Sequence, residues 1–203
     1  PEAGARDAAV ETGQVQLNET TDGTTAKRLR GNPNFQVIPV LPFAAQILKY
    51  NMAQGPGADV NFRRAVQASL NAEEIMGVAF PDIYRIDQAW VYAGSAYHTG
   101  RAPFKQDLAA AKAHLAKSSY KGEKLTFIVH NDRPTVDAAT VMQQQMSQVG
   151  INVELKVADW PTTSGIGLKS DVGWNFWTHG FGIEPYEGPA SSMSHWVNGQ
   201  GQR

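Results

Sequence analysis

Arg133 is the residue of this sequence whose chemistry is easiest to assign. It belongs to the segment His-Asn-Asp-Arg-Pro at residues 130–134, which follows an alternating apolar stretch at 125–129. A guanidinium at a strand end, restrained by the proline after it, can hold a carboxylate through two parallel hydrogen bonds. The segment therefore predicts a site for an acidic group, with Asn131 as a second candidate. The alternative is an arginine in solvent or in a surface ion pair.

A second candidate segment, residues 179–185, follows the last predicted strand. Ligands of α/β sheets bind beyond the carboxyl ends of the strands, so we expect this segment to lie beside residues 130–134. The candidate binding residues within it are His179, Gly180 and Phe181.

Four tryptophans cluster towards the C-terminal end. Trp160 follows a predicted strand, and we expect it at the mouth of the binding cleft. For Trp174 and Trp177, packing in the core and a hydrophobic face against a partner lobe are both open.

A catalytic reading would rest on His130 and Asp132, whose side chains point the same way on an extended strand. No serine nucleophile motif or glycine-rich elbow accompanies them. The five histidines show no metal-ligand spacing, and the sequence contains no cysteine. We therefore expect no metal site, no cofactor and no enzymatic activity. A hydrolase that uses His130 or His179 is the competing hypothesis, and it lacks a nucleophile.

The sequence between residues 125 and 157 predicts a strand, a helix and a second strand, which must position the candidate binding residues. Residues 125–129 alternate apolar and polar side chains, and we expect this strand to be buried mainly on one face. Residues 136–149 place apolar side chains on one helical stripe, and Gly150 stands where a helix ends. Residues 151–157 alternate again, so a parallel crossover is expected. With a further strand at 172–178, the fold class is α/β.

The preceding half of the chain gives weaker signals. Helices are predicted at 6–12, 25–30, 62–70, 72–80 and 107–117, strands at 15–18, 35–41 and 46–52, and a long irregular loop at 81–101.

Composition excludes two classes of function. The chain of 203 residues has 18 Lys and Arg against 19 Asp and Glu, without the basic stripe that a nucleic-acid partner requires. No apolar run approaches the roughly 20 residues that cross a bilayer. The sequence begins at Pro1-Glu2 without a methionine or a leader, so we expect it to be part of something longer.

The order of the segments resembles the peptide- and nickel-type substrate-binding proteins of ABC importers. The resemblance rests on four stretches that follow one another at the family's spacing. They are residues 10–17, a helix, a glycine and a strand; 60–71, Val-Asn-Phe-Arg-Arg-Ala-Val-Gln-Ala-Ser-Leu-Asn; 107–115, Asp-Leu-Ala-Ala-Ala-Lys-Ala-His-Leu; and 142–160, which contains Gln-Val-Gly-Ile-Asn-Val-Glu-Leu and ends in a tryptophan.

The resemblance implies a two-lobed protein of the type II periplasmic-binding fold, with a mixed sheet flanked by helices. Residues 1–18 correspond to the crossover from a first lobe that is missing here, and residues 19–203 to the second lobe. The implied function is capture of a solute between the lobes and its delivery to a membrane permease. The protein is expected to be a monomer, located in the periplasm or at the extracellular face of the membrane. The alternative is a ligand-sensing or interaction domain without a transport role.

The resemblance also implies a ligand class. Arg133-Pro134 matches the Arg-Pro pair with which dipeptide-binding relatives hold the peptide carboxylate. Phe181 stands where those relatives carry the aspartate that receives the peptide amino group, and an aromatic ring cannot form that ion pair. We therefore expect a modified peptide, an opine-like or sugar-acid compound, or another anion.

Overall fold

A four-stranded mixed sheet organises the part of the chain that the computed structural model describes, residues 3–20, 22–38, 44–81, 84–86, 96–100 and 102–182. The strand order is β1-β4-β2-β3. β2 is parallel to both β3 and β4, whereas β1 is antiparallel to β4. The carboxyl ends of β2, β3 and β4 therefore share one edge of the sheet, called the carboxyl edge below. The strands are β1 (Ala44–Tyr50), β2 (Leu125–His130), β3 (Val153–Ala158) and β4 (Phe176–Gly182).

Seven α-helices accompany the sheet within the described residues. This combination confirms the predicted α/β class with a mixed sheet flanked by helices. The helices are α1 (Ala3–Glu11), α2 (Gly23–Arg30), α3 (Val60–Ser69), α4 (Ala72–Ala79), α5 (Leu108–Ala116), α6 (Arg133–Ser147) and α7 (Trp160–Gly167), and a 3-10 turn covers Gly55–Ala58.

The β2-α6-β3 unit confirms the predicted strand, helix and strand. Asp132 caps α6 by accepting a hydrogen bond from the backbone N–H of Thr135 at 3.2 Å, and Pro134 occupies the first turn, where its missing N–H costs nothing. Gly150 adopts a φ of +91°, which lets the chain leave the helix and enter β3. β2 and β3 pair in parallel, from Leu125 opposite Val153 onwards.

The main core lies between one face of the sheet and helices α3 to α6. Phe127 and Phe176, which are fully buried, meet at 5.7 Å between ring centroids, and Phe62 of α3 stacks on Phe176 at 6.0 Å. Gln145 of α6 is buried here too. It accepts a hydrogen bond from the backbone N–H of Asn71 at 2.8 Å and so fixes α6 to the start of α4.

A second, smaller core covers the opposite face of the sheet. Ile128, Trp174 and Trp177 are buried together there, with Ile166 of α7 packed against them. As expected, β2 is buried mainly on the face of Leu125, Phe127 and Val129, although Ile128 on the other face is buried as well, next to α7. Gly167 lets α7 pack closely here, because its backbone lies directly against the six-membered ring of Trp177.

Several weaker predictions were wrong. Residues 15–18 form no strand, because no neighbouring strand pairs with them and Leu17 remains 89% exposed. Residues 35–38 are irregular, and residues 39–41 lie outside the described part of the chain. Most of the predicted loop at 81–101 also lies outside it. Helix α7 was not predicted at all.

The N-terminal segment is tied to the rest of the chain by polar contacts. Glu11 of α1 accepts two hydrogen bonds from Arg28 of α2, each 2.6 Å long. Asn18 donates to the buried carboxylate of Asp7 at 2.6 Å. Helices α1 and α2 are therefore joined across the boundary predicted after residue 18.

Candidate ligand-binding site

Four rings meet at the carboxyl edge on the face of the sheet that carries α7. We call His130, Trp160, Trp177 and His179 the Trp–His cluster. Trp160 is its centre, with ring centroids 5.6 Å from His130, 5.6 Å from His179 and 6.0 Å from Trp177. Trp177 and His179 are closer still, at 4.3 Å. The cluster thus joins the ends of all three parallel strands.

Trp160 is the exposed member of the cluster. It opens α7, where Asp159 caps the helix by accepting a hydrogen bond from the backbone N–H of Thr162 at 2.9 Å and Pro161 fills the first turn. Its side chain is 45% exposed and meets both histidines edge to face. The structure therefore places Trp160 just beyond β3, at the carboxyl edge of the sheet.

His179 lies in a strand, and the expectation of a loop at 179–185 is corrected to that extent. β4 continues to Gly182 because β1 pairs with it, His179 opposite Ile47 and Gly180 opposite Gln46. The ring of His179 is buried, and its Nδ1 lies 2.7 Å from the carbonyl oxygen of Gly180. The backbone of Phe181 is in the same strand, and residues 183–185 lie outside the described part of the chain.

Arg133 lies at the same edge but at the surface. It is the first residue of α6, its side chain is 75% exposed, and its Nε lies 3.5 Å from Oδ2 of Asp137 one turn later. Its neighbour Asn131 is exposed as well, while the backbone N–H of Asn131 donates to the carbonyl of Ala158 at 2.9 Å. That bond holds the ends of β2 and β3 together and leaves both side chains facing solvent.

In the part of the chain that the structure describes, His130 contacts an acid but no nucleophile. Its Nε2 lies 3.5 Å from Oδ1 of Asp132, which is the juxtaposition expected from their spacing. Within the described residues, no hydroxyl is hydrogen-bonded to His130, and its Nδ1 is buried without a hydrogen-bond partner. The indole Nε1 of Trp177 is likewise buried without a hydrogen-bond partner among the described residues. Buried polar atoms are usually satisfied, so both atoms call for a partner beyond the described residues.

Lys49 is a member of the site that the sequence analysis missed. Its Nζ lies 4.5 Å from the centroid of the Trp177 ring, in cation–π contact. Burial lowers the pKa of its ammonium to about 8. A lysine inside the otherwise apolar run Ile47-Leu48-Lys49-Tyr50 was the available signal, since lysine is rarely buried within a strand.

A groove on the helical side of the molecule is the competing location for a site. It is shallow and open, and it lies between α3, α5 and the segment before α5, away from the carboxyl edge. Its lining residues are Arg64, Gln67, Ala68, Phe104, Lys105 and His114. Arg64 and Lys105 of this groove are exposed to solvent, where their charges are screened.

Two further observations concern metals and membranes. In the ranges that the structure describes, no group of three or more His, Asp or Glu side chains could hold a metal ion. Across those same residues, no helix combines the length and the apolar character that a membrane span needs.

The position of His179 makes unfolding sensitive to acid. Burial is the main cause that lowers its pKa below the ordinary value of 6.5. Below pH 6.5 the unfolded chain therefore takes up a proton that the native ring refuses, and the free energy of unfolding falls. We expect the fall between pH 7 and pH 5, measured by urea denaturation, to be smaller in His179→Gln. An equal fall in both proteins would show that His179 titrates alike in the folded and unfolded states.

Comparison with known proteins extends this picture. The family model described as bacterial extracellular solute-binding proteins, family 5 Middle, matches residues 1–203. The glutathione-binding protein GsiB of Escherichia coli strain K12 is 24% identical over 156 residues. That match covers 76% of this chain and 30% of GsiB, so the chain spans under a third of the length of this curated relative.

Solved structures share the fold. The periplasmic binding protein DppA from Helicobacter pylori, in complex with the peptide STSA, superposes with a TM-score of 0.80 at 20% identity, over 91% of this chain and 36% of DppA. AgaA from A. tumefacien R10, in complex with agropinic acid, gives a TM-score of 0.77 at 20% identity, over 98% of this chain and 41% of AgaA. At these identities the likeness establishes the architecture, which is that of the type II periplasmic binding proteins.

The family model and the architecture agree with the segment order read from the sequence. Proteins of this family bind solutes for ABC transport in the periplasm or outside the cell, which points to binding and not to catalysis. The sheet, its carboxyl edge and the match along the whole chain lead to one assignment. This chain belongs to family 5 of the bacterial extracellular solute-binding proteins.

Proposed function

We propose that this chain is the second lobe of an ABC-importer binding protein that captures a peptide-like or anionic small molecule and delivers it to a membrane permease. Residues 1–18 would lead in from a first lobe, and the carboxyl edge of the sheet would face the cleft between the lobes. The observation that carries the proposal is the Trp–His cluster. It combines an exposed indole with buried polar atoms that have no partner in the described residues.

The binding residues proposed from the sequence take distinct roles at this edge. The ring of Trp160 stacks against an apolar or planar part of the ligand, and His179 and Gly180 form the floor beside it. The exposed Arg133 and Asn131 reach an acidic or carbonyl group from the β2 side. Phe181 follows them on the backbone of β4. Relatives named for glutathione, a peptide and agropinic acid support a ligand of this size and chemistry.

Native mass spectrometry of the complete protein, purified gently and without refolding, tests this function. We expect a discrete added mass that is absent in Trp160→Ala and reduced in Arg133→Ala. Leu168→Ala is the matched control, because Leu168 is similarly exposed just after α7 but does not belong to the cluster. A clean unliganded mass that glutathione, tripeptides and opine-type compounds leave unchanged would contradict solute capture and favour a sensing or interaction role.

A further inference from the structure

The groove between α3, α5 and the segment before α5 is lined by basic side chains from all three segments, and we call it the basic groove. Arg64 comes from α3, Lys105 from the segment before α5, and His114 from α5. Its lining residues are Arg64, Gln67, Ala68, Phe104, Lys105 and His114. The fold thus brings together basic groups that are far apart in the chain.

Two hydrogen bonds fix the segment before α5 against the end of α3. The side chain of Gln106 donates to the carbonyl oxygen of Ser69 at 2.8 Å. The backbone N–H of Asp107 donates to the carbonyl oxygen of Ala68, also at 2.8 Å. The position of Lys105 beside α3 is therefore set by its neighbours in the fold, and the basic groove is a built feature of the surface.

Within the described residues, no acidic side chain lines the basic groove. Helices α3 and α5 contain no aspartate or glutamate. Asp59 and Asp107, which cap them, accept hydrogen bonds from backbone N–H groups in the first turn of each helix, at 2.7 Å and 2.8 Å. Neither Arg64 nor Lys105 forms an ion pair in the part of the chain that the structure describes. The basic groove therefore keeps its positive charge and is complementary to an acidic partner.

The size and exposure of the basic groove favour a chain segment over a small free anion. The groove is open, with a volume of about 270 Å³, which is less than the roughly 300–1,000 Å³ of pockets that enclose small molecules. Arg64 and Lys105 are exposed, and a single ion pair with an exposed cation contributes little. A segment with several carboxylates can pair with both cations at once, and an apolar side chain between them can cover the exposed ring of Phe104.

We infer that the basic groove is a docking site for an acidic segment of a partner protein. The inference goes beyond the proposed function, because the basic groove lies on the helices that cover the main core, whereas the Trp–His cluster lies on the opposite face of the sheet. Docking and solute capture are therefore compatible on one molecule. Ion pairs between exposed charges are screened by salt, so docking weakens as the ionic strength rises.

Isothermal titration calorimetry on the complete protein at low salt tests the inference with two matched probes. One is an acetylated and amidated hexapeptide of glutamates and leucines, and the other has glutamines in place of the glutamates. We expect only the acidic peptide to bind, and the double variant Arg64→Gln, Lys105→Gln to weaken its binding by about ten-fold. The control is Lys156→Gln with Lys169→Gln, which removes the same charge from exposed positions elsewhere and should leave the affinity nearly unchanged.

Four results would overturn the inference. The first is that the unmodified protein does not bind the acidic peptide. Equal losses in the two double variants would show that net charge, and not the basic groove, attracts the peptide. Binding of citrate as tight as that of the peptide would identify a site for small anions. Sedimentation of the protein with phosphatidylglycerol vesicles, lost in Arg64→Gln, Lys105→Gln, would assign the groove to a membrane surface instead of a protein partner.

Discussion

Gly167→Ala will unfold at a clearly lower urea concentration than the unmodified protein. A Cβ at this position would overlap Cε3 and Cδ2 of Trp177 and would lie 2.7 Å from Cζ3, all in the six-membered ring. Real Cβ atoms do not approach so closely, so either α7 or the indole must move. Trp177 is only 1% exposed and packs against Ile128 and Trp174, so it has no room to yield. Overpacking of this kind costs about 1–3 kcal/mol, and occasionally more.

Gly165→Ala is the matched control for this substitution. Gly165 lies on the same helix, two residues earlier, and a Cβ there would meet nothing within 4 Å. Alanine favours the helix over glycine by up to about 1 kcal/mol, so this variant should be as stable as the parent or slightly more stable. Urea denaturation followed by tryptophan fluorescence compares them. Equal stability of the two variants would mean that α7 shifts freely and does not fix Trp177, which would remove the structural support of the Trp–His cluster.

Phe127→Ala is expected to have the larger effect on stability. Phe127 is fully buried in the centre of β2 and packs on Phe176 of β4 at 5.7 Å between centroids. Truncation leaves a cavity in the main core, against the two strands that carry His130 and His179, and a cost of about 3–5 kcal/mol is typical. This is a large part of the total stability of an average domain. We therefore expect most of the variant to be unfolded at moderate urea concentrations at which the parent is folded.

The control for Phe127→Ala removes an equal volume from the surface. Phe104 is 54% exposed in the segment before α5, and Phe104→Ala should change the free energy of unfolding by only about 0.5 kcal/mol. Phe127→Leu should recover part of the loss, because leucine fills more of the cavity. A Phe127→Ala variant as stable as Phe104→Ala would show that the main core does not depend on the β2–β4 contact.

Local patterns predicted the β2-α6-β3 unit because its three elements are adjacent in the chain. Each signal for this unit predicts the structure of the segment in which it lies. These signals are the alternation at 125–129, the apolar stripe of α6, and Gly150. β4 was predicted four residues too early, at 172–178, because His179-Gly-Phe-Gly was interpreted as a loop after the strand. It remains extended because β1, more than 130 residues earlier, supplies its hydrogen-bond partners. No local signal carries that information.

Helix α7 is a second element that local sequence patterns did not predict. Pro161, Gly165 and Gly167 give its eight residues a low helical propensity. The signals for its start were nevertheless present, an aspartate at 159 in the capping position followed by proline in the first turn. In the folded chain Gly167 packs against Trp177, which is a tertiary contact that local propensity does not report.

The candidate site could be predicted in part. Trp160 and His179 were identified from their positions after predicted strands, and the structure brings them into contact. Lys49 and the role of Trp177 could not be predicted in this way, because their contact depends on the pairing of β1 with β4. Arg133 is at the expected edge, and its ion pair with Asp137 follows simply from their spacing on α6.

The pairing of β1 with β4 also sets an order of assembly. Gln46 and Thr178, whose side chains are hydrogen-bonded at 2.6 Å, are separated by 132 positions. At a synthesis rate of roughly 5–20 residues per second, β1 emerges on the order of ten seconds before its partner strand exists. The β2-α6-β3 unit can form during that interval, whereas β1 stays without its β4 hydrogen bonds. The cation that β1 contributes to the sheet face therefore reaches Trp177 only after β4 has been synthesised.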